Sequence, residues 1–276
     1  MNFIFFEEYT KGWGAFFRIK EIKCHRESPY QKIEIFESMD HGKVMVIDGA
    51  VMFTEKDEFT YHEMIVHVPL FSHPNPERVL VIGGGDGGTV REILKHEVVK
   101  EVYLVEIDEM VIELSEKYFP QIAKDLRNPK TKILIQDGIK FLRECEENSF
   151  DVIIVDSTDP VGPAVGLFES DFYNSCYRVL KDDGILNVQS GSPYFQQDLI
   201  SRVYRNISMI FPIARTYIAG VPMYGGLWSF TVGSKKYDPK IGPVREDPKI
   251  VANLKYYNFE IHKGAFALPN YLKKGI

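Results

Sequence analysis

The chain has 276 residues, 45% of them hydrophobic, which is enough for one large domain and a smaller one. Its net charge of −6, from 39 acidic and 33 basic side chains, disfavours a nucleic-acid partner, because phosphates require a basic face. Three dispersed cysteines without a CxxC pair indicate neither a disulfide framework nor a zinc site, and we expect no metal.

The apolar stretches of the sequence are short. The first ten residues, MNFIFFEEYT, lack the basic leader and the long apolar core of a signal peptide. No stretch has the roughly 20 apolar residues that a bilayer crossing needs. We therefore predict a cytoplasmic protein with no membrane partner.

The first fifty or so residues have the pattern of β-structure. Residues 32–38 alternate between apolar and polar, and the Asp48-Gly49 pair between two apolar runs is a strong hairpin signal. A helix is predicted over residues 58–71, with Asp57 as its N-cap. We predict a small antiparallel β domain over residues 1–56 and a second domain over residues 57–276.

From Arg78 onward, short apolar runs alternate with helical segments, which predicts a parallel sheet with helices on both faces. The predicted strands are residues 78–83, 101–107, 131–137, 151–156 and 184–190. The predicted helices are residues 90–95, 109–118, 139–146, 172–180 and 196–210. Two further runs, residues 214–220 and 228–233, have no helix between them and suggest an antiparallel pair at the sheet edge.

Carboxylates follow four successive strands of this sheet, at the end where open parallel sheets bind ligands. They are Asp86, Glu106, Asp137, Asp156 and Asp159. Acidic residues at strand ends can simply cap the next helix, and we assign that role to Asp108. As a set, carboxylates on one rim repel one another unless a cation joins them. The pattern therefore predicts a cationic ligand.

The loop GGGDGG, residues 83–88, has the glycines of a nucleotide-binding turn but carries Asp86, which would repel a pyrophosphate. Glu106 follows by about 20 residues, the spacing at which an acid meets ribose hydroxyls. Asp137 is suited to accept from the adenine amino group. These residues favour an adenosyl sulfonium that carries a bare aminopropyl arm, since Asp86 would disfavour a carboxylate on that arm.

Several motifs make the sequence similar to the spermidine synthase family of polyamine aminopropyltransferases along nearly its whole length. They are SPYQ, TEKDEFTYHEM, HPNPERVLVIGGGDGG, VEID, QDG, DSTDPVGPA and KYYNFEIHKGAFALP. The resemblance implies a methyltransferase-like Rossmann fold behind the N-terminal β domain, in a homodimer or homotetramer. It implies transfer of an aminopropyl group from decarboxylated S-adenosylmethionine, as co-substrate, to putrescine, with no prosthetic group. The products are spermidine and 5′-methylthioadenosine.

The resemblance also assigns site residues. Asp156 would be the proton acceptor, and Asp86 would hold the aminopropyl ammonium. The adenosyl donor would contact Gln31, Glu106, Asp137, Gly138 and Pro163, and the substrate pocket would contain Tyr61, His62, Asp86, Asp156, Ser157, Thr158, Asp159 and Tyr224.

The sequence leaves alternatives open. Tyr224 lies in a stretch, PMYGGLW, that differs from many family members, so agmatine, cadaverine or a longer polyamine could replace putrescine as acceptor. A methyltransferase on the same fold is opposed by Asp86, and so is a nicotinamide dehydrogenase. A polyamine-binding protein without activity would be expected to lack Asp156 or Asp159, and both are present.

Overall fold

The computed structural model describes residues 3–276, and within them the N-terminal segment forms an antiparallel sheet of five strands in chain order. The strands are β1 (Phe3–Thr10), β2 (Trp13–Glu27), β3 (Lys32–Ser38), β4 (Lys43–Ile47) and β5 (Ala50–Thr54). Asp48 and Gly49, between β4 and β5, have φ values of 49° and 84°. Two successive residues with positive φ are typical of a type I′ hairpin turn, so the predicted hairpin is confirmed.

The rest of the described chain forms a seven-stranded sheet in the order β11-β12-β10-β9-β6-β7-β8. Its strands are β6 (Arg78–Gly83), β7 (Glu101–Glu106), β8 (Thr131–Ile135), β9 (Phe150–Asp156), β10 (Leu180–Gly191), β11 (Ile213–Val221) and β12 (Gly226–Ser234). The strands from β10 to β8 are parallel, whereas β12 is antiparallel to both of its neighbours. The predicted α/β methyltransferase-like Rossmann fold and its antiparallel pair at the edge are therefore confirmed.

Helices cover both faces of this sheet. They are α1 (Glu58–Phe71), α2 (Gly88–Ile93), α3 (Glu109–Tyr118), α4 (Gly138–Glu144), α5 (Ser170–Val179), α6 (Gln197–Ser208), α7 (Pro248–Val251) and α8 (Phe259–Ala265). None of the helices within residues 3–276 combines the length and the hydrophobicity that a bilayer crossing requires.

The alternation of side chains along the central strands divides the core into two layers. Val79 and Val81 of β6 pack in one layer with α1, α2 and α8, whereas Leu80 and Ile82 pack in the other with α4, α5 and α6. A third cluster joins the N-terminal sheet to α3, through residues such as Phe53 and Phe119. The boundary of residues 1–56 and 57–276 stays a prediction, although it falls between the two sheets.

The predicted bounds of α1 agree with the structure, and Asp57 is its N-cap residue as predicted, but the Asp57 side chain makes no capping hydrogen bond. Its carboxylate instead accepts hydrogen bonds from Thr54 Oγ1 at 2.7 Å and from the backbone N–H of Met223 at 3.1 Å. The side chain is drawn away from the helix because these partners, at the end of β5 and in the turn after β11, surround it.

Candidate active site

A cavity of about 150 Å³ opens at the carboxyl ends of the parallel strands. It lies where the strand order reverses, between β6 and β9, which is where open α/β sheets form a ligand crevice. The cavity brings together the sequence-predicted site residues Gln31, Tyr61, His62, Asp86, Glu106, Asp137, Gly138, Asp156, Ser157, Thr158, Pro163 and Tyr224.

The predicted site residue Asp159 lies apart from this group. It faces an adjoining cavity of about 310 Å³, and its carboxylate accepts from Gln196 Nε2 at 2.6 Å. The two cavities share several wall residues, among them Tyr61, Thr158 and Tyr224. The predicted substrate residues are therefore divided between two connected spaces.

Close packing explains why the loop after β6 is rich in glycine. Gly83 has a φ of 79°, and a Cβ there would lie 2.2 Å from the carbonyl oxygen of Asp156. A Cβ at Gly88 would lie 2.3 Å from the imidazole of His62. The loop thus brings its backbone against the end of β9 on one side and against α1 on the other.

Asp156 is fixed at the end of β9 by two hydroxyl groups. Tyr61 Oη donates to one carboxylate oxygen at 2.8 Å, and Thr89 Oγ1 donates to the other at 2.6 Å. Burial raises the pKa of Asp156 above its ordinary value, and the negative charge of Asp86 raises it further. A carboxylate with a raised pKa is a better proton acceptor than an ordinary one.

His62 lies between two carboxylates. Its Nδ1 is 2.6 Å from Glu58 Oε2, and its Nε2 is 3.2 Å from Asp86 Oδ1. Burial alone would lower the pKa of His62, but Asp86 and Glu58 together raise it to about 10. The imidazole is therefore charged at neutral pH, and its charge outweighs burial so that the pKa of Asp86 is lowered.

The cavity wall also includes the residues predicted to bind an adenosine. Glu106, at the end of β7, accepts from the backbone N–H groups of Gly85 and Asp108, and burial raises its pKa to about 7. Gln31 is oriented by a 2.9 Å bond from its Nε2 to Asp108 Oδ2. Asp108 also accepts from Met110 N, which confirms its capping role.

Asp137 both caps a helix and lines the cavity, and the sequence alone could not separate these two roles. Its Oδ1 accepts from the backbone N–H groups of Ile139 and Lys140, so it caps α4. Its side chain also lines the cavity, with the second oxygen available as an acceptor. A helix cap and a ligand contact are thus compatible in one carboxylate.

A metal ion is a weak fit to this site. Donor atoms of His62, Asp86 and Asp156 come within 4.8 Å of one another, and they form the one such group found within residues 3–276. Both nitrogens of His62 already face carboxylates, and its raised pKa keeps the lone pair protonated at neutral pH. A protonated histidine cannot bind a metal, so these residues suit an organic cation better.

Comparison with known proteins identifies the family. The Spermidine synthase tetramerisation domain matches residues 3–55, and the Spermine/spermidine synthase domain matches residues 58–241. The chain belongs to the spermine/spermidine synthase family. It is accordingly a transferase enzyme, a polyamine aminopropyltransferase.

Relatives of this aminopropyltransferase match it along almost its whole length. The polyamine aminopropyltransferase of Caldicellulosiruptor saccharolyticus is 52% identical, over 99% of this chain and 98% of the relative. That of Thermoanaerobacter sp. is 50% identical with the same coverage. A spermidine synthase solved in complex with the transition-state analogue AdoDATO has a TM-score of 0.93 at 44% identity, over 99% of this chain and 94% of that one. The spermidine synthase of Thermotoga maritima has a TM-score of 0.90 at 43% identity, over 99% and 93% of the two chains.

Sequence reasoning missed several polar residues of this aminopropyltransferase. Thr89 directly follows the glycine loop, and its position at the start of α2 could have suggested a contact with the end of β9. Glu58 and Arg91, which support His62, lie on different helices and give no local signal. Glu7, in the adjoining cavity, was hidden in a segment read only as β-structure.

Proposed function

We propose that this enzyme transfers the aminopropyl group of decarboxylated S-adenosylmethionine to putrescine, forming spermidine and 5′-methylthioadenosine. The observation that carries the proposal is the pair Asp86 and Asp156, whose carboxylates face one cavity within 4.8 Å of each other. Two such acids can receive the two cationic nitrogens that the reaction brings together: the ammonium of the aminopropyl arm and the attacking amine.

The donor would lie across the ends of β6, β7 and β8. Glu106 would accept from the ribose hydroxyls and Asp137 from the adenine amino group, with Gln31, Gly138 and Pro163 around the adenosine. Asp86 would then accept from the aminopropyl ammonium. A carboxylate on that arm, as in S-adenosylmethionine itself, would meet the negative charge of Asp86, so the loop favours the decarboxylated donor.

The acceptor amine must lose a proton before it can attack. An alkyl amine has a pKa of about 10.4, so at neutral pH it is almost entirely protonated. The nearby sulfonium lowers that pKa by charge repulsion, and Asp156, whose own pKa is raised, takes the proton. The nitrogen then bonds to the carbon beside sulfur as the carbon–sulfur bond breaks, and the electron pair stays on sulfur as a neutral thioether.

The adjoining cavity supports an acceptor with two amines. Glu7 and Asp159 both line it, and Ser157, Thr158 and Tyr224 are shared with the first cavity. Glu7 accepts from Val51 N at 2.9 Å, and burial raises its pKa to about 7. An ammonium at the far end of a diamine would favour the ionised form of Glu7. Cadaverine and agmatine also carry a second cationic group and remain the alternative acceptors.

The N-terminal sheet supports self-association. Phe6 and Phe16 are paired across β1 and β2, and each is more than half exposed. An exposed apolar patch of this kind is typical of a protein interface, and the family matched by residues 3–55 is named for tetramerisation. We propose a homodimer or homotetramer. A cytoplasmic location and the absence of a nucleic-acid partner stay predictions.

The proposal is tested with the purified enzyme, decarboxylated S-adenosylmethionine and a panel of putrescine, cadaverine, agmatine and spermidine. We expect release of methylthioadenosine to be fastest with putrescine. A much higher rate with another amine would replace the acceptor but keep the reaction. Methylation of any amine when S-adenosylmethionine is supplied would favour the methyltransferase instead.

The control for this assay is the variant Asp156→Asn. The amide cannot accept the proton, so we expect it to bind the donor almost normally while losing most turnover, by about 10²–10⁴-fold. Turnover close to that of the wild type would remove Asp156 from its proposed role.

A further inference from the structure

Four side chains of alternating charge form a row from the cavity into the contact between α1 and α2. The row begins at Asp86 and continues through His62 and Glu58 to Arg91, whose Nε also donates to Glu92 Oε1 at 2.9 Å. Arg91 donates to both oxygens of Glu58, at 3.0 Å from Nη1 and 2.8 Å from Nη2. Each of the four side chains is at most 16% exposed.

Both carboxylate oxygens of Glu58 already take part in hydrogen bonds with other side chains. Oε1 accepts from Arg91, and Oε2 is shared between Arg91 and the Nδ1 of His62. His62 and Arg91 together lower the pKa of Glu58 to about 2, in spite of its burial. Glu58 is therefore a negative charge in the cavity wall whose hydrogen bonds are made to His62 and Arg91.

We propose that Glu58, held in place by Arg91, is the positioning residue that keeps His62 in its charged form, so that Asp86 faces the donor as an ionised acceptor in a fixed orientation. The identity of that donor rests on the proposed function, whereas the charge state of His62 does not. The charged or titratable groups that surround His62 are Glu58 and Tyr61 on α1, Asp86 in the glycine loop, Arg91 on α2 and Asp156 at the end of β9.

The positive charge of His62 offsets the repulsion between two carboxylates in this cavity. Asp86 and Asp156 repel each other, and each raises the tendency of the other to keep a proton. A charged imidazole beside Asp86 offsets this repulsion before any ligand arrives. If His62 became neutral, the pKa values of Asp86 and Asp156 would rise, and the pair would attract a cation less strongly.

The test follows the titration of His62 in the ligand-free, full-length enzyme by ¹⁵N NMR of the imidazole nitrogens. In the wild type we expect both nitrogens to be protonated at pH 8. A neutral ring at that pH would overturn the proposal without any variant being needed.

Two variants that each break the Glu58–Arg91 ion pair should change the pKa of His62 differently. Glu58→Gln removes a carboxylate next to His62, so we expect its pKa to fall by about one to three units. Arg91→Gln removes a positive charge and leaves Glu58, so we expect the pKa of His62 to be no lower than in the wild type. A fall of similar size in both variants would indicate simple loss of packing and would overturn the proposal.

The matched control is Glu63→Gln, which removes another buried carboxylate from the same helix. Glu63 accepts from the backbone N–H groups of residues 255–257, away from His62. We expect the titration of His62 to be unchanged there. In Glu58→Gln, calorimetry should also show donor affinity that falls as His62 loses its proton, whereas wild-type affinity should be flat over the same pH range.

Discussion

Asp86 occupies a loop in which backbone N–H groups normally face a phosphate. Here the N–H of Gly88 donates instead to Asp86 Oδ1, at 2.7 Å, and His62 Nε2 lies 3.2 Å from the same oxygen. The anion that the loop stabilises is thus part of the protein. The ligand that completes the site should accordingly be a cation.

The substitution Asp86→Asn should separate two closely related donors. We expect it to weaken decarboxylated S-adenosylmethionine by about 1.5–3 kcal/mol, the value of a hydrogen bond to a charged group. S-adenosylmethionine should lose less, because its carboxylate no longer meets a negative charge. Isothermal calorimetry with both ligands measures the difference.

The control for this comparison is Asp137→Asn. Asp137 lines the part of the cavity where we propose that the adenosine binds. The two donors are identical there, so both should weaken equally. If Asp86→Asn also weakened both donors equally, Asp86 would not select the decarboxylated donor.

At the scale of an element, the packing of the short helix α2 depends on a glycine, a residue without a side chain. Gly88 is its first residue, and the imidazole of His62 occupies the space where a Cβ would be. The α1–α2 contact therefore needs glycine at this position.

We expect Gly88→Ala to destabilise the fold by about 1–3 kcal/mol, the usual cost of overpacking a tight contact. Urea unfolding measures this change. Gly264→Ala is the control: a Cβ there meets open space among residues 3–276, and the site lies inside α8, so alanine should be neutral or stabilising by up to about 1 kcal/mol. Equal effects of the two substitutions would contradict the contact with His62.

The sequence predicts elements well where their side chains face a uniform environment. The apolar runs of β6 and β9 were placed correctly because both faces of a parallel strand are buried. The helix α3 was placed correctly because Asp108 caps its first turn. The long strand β2 was not resolved from β1, because it mixes exposed aromatic and charged side chains. Asp86 and Asp156 were found through their motifs, whereas Glu58 and Arg91 meet only after α1 packs on α2.

At the scale of the whole molecule, the exposed aromatic residues of the first hairpin suggest how copies of the chain associate. Phe6 is 68% exposed and Phe16 is 58% exposed, and their rings lie 6.2 Å apart. Along β1, Phe6 points to the opposite face of the strand from Glu7 and Tyr9, which line the adjoining cavity together with Glu8. Association through this face would leave the active site open.

We expect Phe16→Glu to shift the enzyme toward smaller assemblies, because burying an unpaired charge in an apolar interface is costly. Analytical ultracentrifugation measures the change in mass, and circular dichroism should stay the same. Met209→Glu, at a 79% exposed position in the turn after α6, should leave the mass unaltered. An unchanged mass for Phe16→Glu would place the interface elsewhere.

The carboxylate of Asp57 bonds to the last residue of β5 and to the turn Pro222–Tyr224, and Tyr224 Oη donates to the carbonyl of Met52 in the same strand. These bonds connect the turn Pro222–Tyr224, which lines the cavity, to the N-terminal sheet. Any widening of the entrance at Tyr224 must therefore move β5 as well or break these bonds. An amine too bulky for the entrance would therefore have to displace β5 together with Tyr224, and assembly through the N-terminal sheet would oppose that displacement.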